Sequence, residues 1–194
     1  MKKQSGFTLI ELMVTIAIAV ILITSAVPGF QSFIQNNRLS TTTHQLVTSL
    51  NLARSEAVKR GKQVTVCKSD NSSTCTNANG WDQGWIVFVD EDGDGQRQTS
   101  GTPEELLRVQ NALAGSITIS GQDDVEHLIS YTETGFPELI AGGTLRKEFS
   151  TLVVCVSNNF DAHSRAVILN ATGSIRSTSA TDPSVNAGVT GCSV

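Results

Sequence analysis

Charge is scarce in this sequence. Only 16% of its 194 residues are Asp, Glu, Lys or Arg, and the 18 acids outnumber the 14 bases. The net charge of −4 excludes the strongly basic composition of a general nucleic-acid-coating protein. Aromatics are scarcer still, at 5%, against 16 glycines. That balance favours a loop-rich β protein over a helical bundle. Extended disorder is excluded, because 39% of the residues are hydrophobic and disorder requires low hydrophobicity with high net charge. One long apolar run is present and no second one, so a multi-spanning membrane protein is excluded too. The length suggests one domain with an appended element. Enzyme signatures are missing: there is no GxSxG, HExxH, P-loop or GxGxxG. His44, His127 and His163 are scattered and no CxxC pair exists, which removes the usual spacing of structural zinc. No catalytic role is expected.

The apolar run covers residues 7–27 and contains one charge, Glu11. At 1.5 Å per residue such a helix spans roughly 30 Å, the thickness of a bilayer core. Lys2 and Lys3 precede it, so the positive-inside rule keeps the N-terminus cytoplasmic and exports the remainder. A secretory signal or a plain anchor leaves Glu11 unexplained, since a carboxylate inside a span costs about 2.5–3.5 kcal/mol on insertion scales.

The residues Gly6-Phe7-Thr8-Leu9-Ile10-Glu11 resemble the class III signal of type IV pilins and pseudopilins. The resemblance implies cleavage between Gly6 and Phe7 by a prepilin peptidase, with N-methylation of Phe7. It implies that the apolar segment is retained as filament core. Glu11 would then neutralise the N-terminal ammonium of a neighbouring subunit, a pair unfavourable to leave half-made. The implied location is the inner membrane, single-pass, with the C-terminal domain in the periplasm, and later the pilus and cell surface. The implied partners are other minor and major pilins.

Beyond the run, Pro28-Gly29 predict a kink or a melted turn, because proline removes a hydrogen bond and crowds the preceding turn. A helical pattern then resumes. Leu39, Leu46, Leu50, Ala53 and Ala57 recur at helical spacing, with Val47 and Val58 broadening the stripe. Lys59 and Arg60 suit a helix C-terminus and Gly61 ends it. One kinked helix over residues 7–60 is expected. From Lys62 the period changes to two. Strands are predicted at 63–68, 84–90, 106–110, 116–120, 127–132, 151–157, 165–170 and 173–177, punctuated by turn-formers such as Asp92-Gly93-Asp94-Gly95, Asn158-Asn159 and Thr172-Gly173. No βαβ alternation appears, which excludes a Rossmann-type domain. The small, polar residues 177–194 read as an extended loop.

Cys67, Cys75, Cys155 and Cys192 all lie in the part expected to be exported, where disulfides persist. Four cysteines allow three connectivities. Cys67–Cys75, closing a small polar loop, and Cys155–Cys192, pinning the tail to a strand, are favoured.

A narrower resemblance follows. Leu52-Ala53-Arg54-Ser55-Glu56-Ala57-Val58-Lys59-Arg60-Gly61, then Val64-Thr65-Val66-Cys67 and Trp81-Asp82-Gln83-Gly84-Trp85-Ile86-Val87-Phe88-Val89-Asp90, resemble the GspH/FimT group of minor pilins and pseudopilins. The implied fold is α+β: a long kinked N-terminal helix packed on a C-terminal antiparallel β domain. The expected organisation is a leader at 1–6, a transmembrane or filament-core helix at 7–27, an amphipathic helix at 28–61 and a β-rich domain at 62–194. The implied function is that of a minor type IV pilin that primes or caps assembly. A GspH-like pseudopilin of a type II secretion system and a DNA receptor for natural transformation are the alternatives. Trp81 and Trp85 read as core residues rather than a binding site.

Two ligands are weighed. Asp90, Asp92 and Asp94 alternate like the start of a calcium loop, but the twelfth position is Gly101 rather than Glu. A plain acidic hairpin turn is preferred, with calcium as the lesser reading. DNA receptors of the FimT type carry a Gly-Arg-x-Arg element. Here it stands as Gly173-Ser174-Ile175-Arg176, leaving Arg176 alone to meet a phosphate, a small increment of affinity. Residues 82–138 carry 12 acids and 2 bases, and residues 38–68 carry 6 bases and 1 acid. The acidic block argues against DNA, and the basic stretch reads as a solvated or subunit-facing surface. Glu104-Glu105 and Asp123-Asp124 read as solubility features.

Overall fold

The computed structural model describes residues 6–78, 80–121, 125–139, 143–144, 149–156, 163–182, 185 and 191–192. Lys2, Lys3, Asp123-Asp124 and the expected turn at Asn158-Asn159 lie outside them. The chain divides into two units, Met1–Asn37 and Arg38–Val194.

One helix, α1, runs over Leu9–Arg60. It starts two residues later than the apolar run because Thr8 caps it. The Glu11 N–H donates to Thr8 Oγ1 (3.3 Å) and the Thr8 N–H donates to a Glu11 carboxylate oxygen (3.5 Å). This reciprocal box satisfies two of the N–H groups that every helix start leaves unpaired. The backbone stays helical through residue 28, so of the kink or melted turn expected at Pro28, the melted turn does not form. One missing N–H removes a single i→i−4 bond. At the other end Gly61 takes φ +62° and its N–H donates to Ala57 O (2.9 Å), a left-handed stop that costs glycine nothing.

In the second unit α1 packs on two antiparallel sheets. The six-stranded sheet is ordered β3-β2-β1-β5-β6-β7. It uses β1 (Val64–Lys68), β2 (Gly84–Val89), β3 (Leu106–Asn111), β5 (Leu128–Tyr131), β6 (Pro137–Leu139) and β7 (Gly143–Thr144). The four-stranded sheet, ordered β10-β9-β8-β4, uses β4 (Ile117–Gly121), β8 (Phe149–Val156), β9 (Arg165–Asn170) and β10 (Ile175–Ser179). The eight strands expected from alternation are all present within a few residues. β6 and β7 are additional, and β10 extends past the expected strand end at Ser177 to take Thr178 and Ser179.

The helical stripe makes the core. Leu46, Leu50, Ala53 and Ala57 are fully buried against Val64 and Val66 of β1, Trp85 and Val87 of β2, Leu152 and Val154 of β8, and Val167 and Leu169 of β9. Each leucine contributes about 1.5–3 kcal/mol by leaving water. Val58 does not join the stripe; it is exposed, because one step from Ala57 turns it by 100°. Trp81 and Trp85 are core residues as expected. Their indole N–H groups donate to the Val125 and Glu126 carbonyls and to Ser49 Oγ.

Each sheet also carries a small apolar cluster on its other face, and each cluster holds a disulfide. Cys67, Ile86 and Phe88 cluster with Cys75, and Cys67 is bonded to Cys75. Val153, Cys155, Ala166 and Ile168 cluster with Ala180, Val185 and Cys192, and Cys155 is bonded to Cys192. The C-terminal residues therefore supply apolar cover to the four-stranded sheet, where composition alone suggested a loop.

Candidate functional site

The sequence places its strongest candidate residues at the start of α1. Gly6, Phe7 and Thr8 precede the helix in non-helical backbone. Phe7 is 83% exposed, and a Cβ at Gly6 would meet no atom within 4 Å. Packing within the chain therefore does not require glycine there. Glu11 reaches back to the Thr8 N–H, a placement that also sets a negative charge against the positive end of the helix dipole. That capping role was legible in the Thr-x-x-Glu spacing, which fits a capping box as well as a pilin signature.

Behind this junction the helix is apolar on every side. Leu9, Ile10, Leu12, Met13, Ile16, Ile21, Phe30 and Phe33 are all more than half exposed. This part of α1 is long and apolar enough to cross a membrane. Its hydroxyls are turned inward. Thr15, Thr24 and Ser25 donate to carbonyls three or four residues back, which satisfies these three hydroxyls within the helix itself.

The acidic turn after β2 brings together a different trio from the alternating Asp90, Asp92 and Asp94. Carboxylate oxygens of Asp90, Asp92 and Glu104 lie within 4.8 Å of one another. Glu104, read as a solubility feature, is buried, and Asp94 stands outside the trio. Asp90 accepts from Thr65 Oγ1 (2.7 Å) and from the Gly93 and Gly95 N–H groups (2.8 and 3.1 Å). Glu104 accepts from the Glu91 and Gln98 N–H groups (2.7 and 3.0 Å). Burial pushes both carboxyls above their ordinary range, and these donors pull against it. Asp90, Asp92 and Glu104 are the ligands a cation would find here, in competition with five backbone N–H groups. The turn is closed by its own hydrogen bonds.

The basic stretch is largely engaged. Arg54 donates to the Gly135 and Thr172 carbonyls (3.1 Å each). Arg60 pairs with Glu56 and Glu105, and Lys62 with Glu91. The Arg60 guanidinium holds the Glu56 and Glu105 carboxyls below their usual range. Lys68 is 5% exposed, and burial pushes its ammonium down from the usual lysine value. The acidic block thus meets the basic stretch within one chain, and little of that stretch is left for a polyanion.

The Gly173 element has a structural account. Gly173 has φ +77°, and a Cβ there would lie 2.5 Å from Gly135 O and 3.3 Å from Arg54 Nε. The glycine lets two turns approach under the Arg54 clamp. Ser174 donates to Asn170 Oδ1, and Arg176 is exposed on β10.

Comparison with known proteins decides the family. Residues 42–173 match the type II transport protein GspH family, and residues 1–27 match the prokaryotic N-terminal methylation motif. This chain belongs to the GspH family. It is 30% identical over 135 residues to a fimbrial protein of Pseudomonas aeruginosa, covering 64% of this chain and 83% of that one. Crystal structures of the Pseudomonas aeruginosa type IV minor pilin FimU share its fold. One superposes with a TM-score of 0.53 at 21% identity, over 74% of this chain and 90% of that one. A second crystal form gives 0.51 at 19% identity, over 72% and 92%. This GspH-family chain therefore has the expected α+β pilin-like fold, a methylation-type N-terminus and a membrane-anchoring helix. The family consists of structural pilin-type proteins.

Proposed function

We propose that this protein is a minor pilin of a type IV pilus. It is made as a precursor, cut between Gly6 and Phe7 by prepilin peptidase, and N-methylated on Phe7. Residues 7–27 hold it in the inner membrane with the β domain on the periplasmic side, until it enters a filament and helps to prime or cap assembly. The observation that carries this reading is the apolar helix left uncovered directly behind Gly6 and Phe7. Such a surface needs lipid first and neighbouring helices later. A glycine that its own fold does not require fits selection by an outside agent, here the peptidase. Glu11 has a local partner in the Thr8 N–H, so its carboxylate is held at the helix start, where an incoming subunit's ammonium would meet it. The protein works as a structural subunit rather than a catalyst.

Likeness to a fimbrial protein supports the pilus. The GspH match supports a second reading, a minor pseudopilin of a type II secretion system. Counting surface pili on cells that lack the gene, with retraction disabled, separates them. Loss of pili is the expected result. Normal pili with defective protein secretion would move the secretion reading ahead. Gly6 replaced by a bulky residue should accumulate as uncut precursor, and normal maturation of that variant would refute the leader assignment. Glu11→Ala should mature normally yet enter filaments poorly.

A further inference from the structure

A cleft of about 230 Å³ opens between α1 and the β9–β10 pair, lined by Ser40, Thr43, His44, Arg165, Ser177 and Thr178. Two rows of the fold build it. Ser40, Thr43 and His44 are spaced i, i+3, i+4 and share one helix face. On the sheet, Val167 and Leu169 point into the main core, so Arg165, of the same parity, projects on that side. Ser177 stands opposite Val167 in the ladder and projects there too. The cleft is where this sandwich opens past its last apolar layer.

Its chemistry is one-sided. Every lining side chain carries a hydrogen-bond donor and none is a carboxylate. Thr43 and Thr178 have spent theirs, on Leu39 O (2.7 Å) and on an Asp182 carboxylate oxygen (3.1 Å). Among the described residues, the Arg165 guanidinium, the His44 imidazole and the Ser40 and Ser177 hydroxyls make no side-chain hydrogen bond or ion pair. Arg54, Arg60 and Lys62 of the same unit, by contrast, all have partners. The volume holds several waters at about 30 Å³ each.

We propose that this cleft is a binding site for a phosphate-type oxyanion. The guanidinium fork gives two parallel donors to adjacent oxygens. The imidazole N–H gives a further donor from the helix wall. The two hydroxyls, one from each wall, reach the remaining oxygens. Donors on opposite walls suit a tetrahedral group better than a planar carboxylate, which the arginine fork alone would satisfy. The phosphate is either free or the headgroup of an anionic lipid. The site belongs to the fold and holds whichever filament the protein serves.

The test follows the His44 ring protons by NMR in the full chain in maltoside micelles. Inorganic phosphate is titrated at constant ionic strength against sodium chloride and sodium acetate. A saturable His44 shift with phosphate is expected, weaker with acetate and absent with chloride. Arg165→Gln should weaken it at least about tenfold, the effect of losing one charge-assisted hydrogen bond. Ser177→Ala should weaken it a few-fold while leaving the fold intact. A short-chain phosphatidylglycerol added to the micelles identifies the source: a response at lower concentration than phosphate assigns the lipid headgroup, and a weaker one assigns the free anion. No saturable shift, an equal response to acetate, or an unchanged response in folded Arg165→Gln would each overturn the proposal.

Discussion

The two halves of α1 use apolar side chains in opposite ways. Among the described side chains from Leu9 to Phe33 they point outward on every side, and Ile16 is 55% exposed. From Leu39 to Ala57 they form one stripe, and Leu46 and Leu50 are wholly buried against the sheets. The second half is stabilised by its own chain. The first is stable only in something else, lipid or other helices. A helix can thus be apolar for folding or for assembly, and exposure in the isolated chain tells the two apart.

The largest expected effect breaks that comparison most directly. Leu50→Ala should lower the unfolding free energy of the β domain by about 2–5 kcal/mol, through lost burial and a residual cavity. Ile16→Ala should leave it within about 0.5 kcal/mol. Thermal or chemical melts of the full chain in detergent decide it, and equal losses would mean that the halves are not independent. Next come the disulfides, both in the self-sufficient region. Opening the pair Cys155 and Cys192, 37 residues apart, should cost about 4 kcal/mol on the loop-entropy scale, against about 2.5 kcal/mol for Cys67 and Cys75, 8 residues apart. Double serine variants compared in denaturant give the order. A smaller loss, about 1–3 kcal/mol, is expected for Gly173→Ala, where a left-handed φ and the Gly135 carbonyl both oppose a side chain. Arg54→Gln should soften the same junction, seen as faster amide exchange at Gly135 and Gly173.

The smallest effect concerns a charge inside the self-sufficient region. Lys68 titrates below its usual value because it is buried. Between its folded and unfolded values the unfolded chain binds more protons, so stability rises with pH across that window. Lys68→Met should therefore be more stable than the parent at neutral pH. The gain should shrink as pH climbs through the folded lysine value toward the ordinary lysine range. A gain that stays constant with pH would assign the effect to packing instead.

Most of the fold was legible because it rests on local patterns. The buried stripe Leu39, Leu46, Leu50, Ala53 and Ala57 repeats at helical spacing, and eight strands alternate between turn-formers. β6 was hidden because proline opens it, and proline argues against a strand in sequence. β7 has two residues, too few to show a period. Glu104 looked like surface because no residue pattern announces that the loop will fold back to set the Glu91 and Gln98 N–H groups on it. Gly173 looked like part of a phosphate-binding motif, and its reason lies in Gly135 and Arg54, far away in sequence.

By itself, then, the sequence determined the apolar helix with its Gly6-Phe7 junction and its Glu11, the change of period after Gly61, and the cysteine-bearing β region. These follow from hydrophobicity, spacing and turn chemistry, which act between near neighbours. Only the tertiary structure decided which face of each sheet a disulfide covers, which acids close the Asp90 turn, and that Arg165 and His44 come together over one cleft. Those pairings span separations from 8 residues at Cys67–Cys75 to more than a hundred at His44 and Arg165, and the packing of strands, turns and α1 brings them within reach.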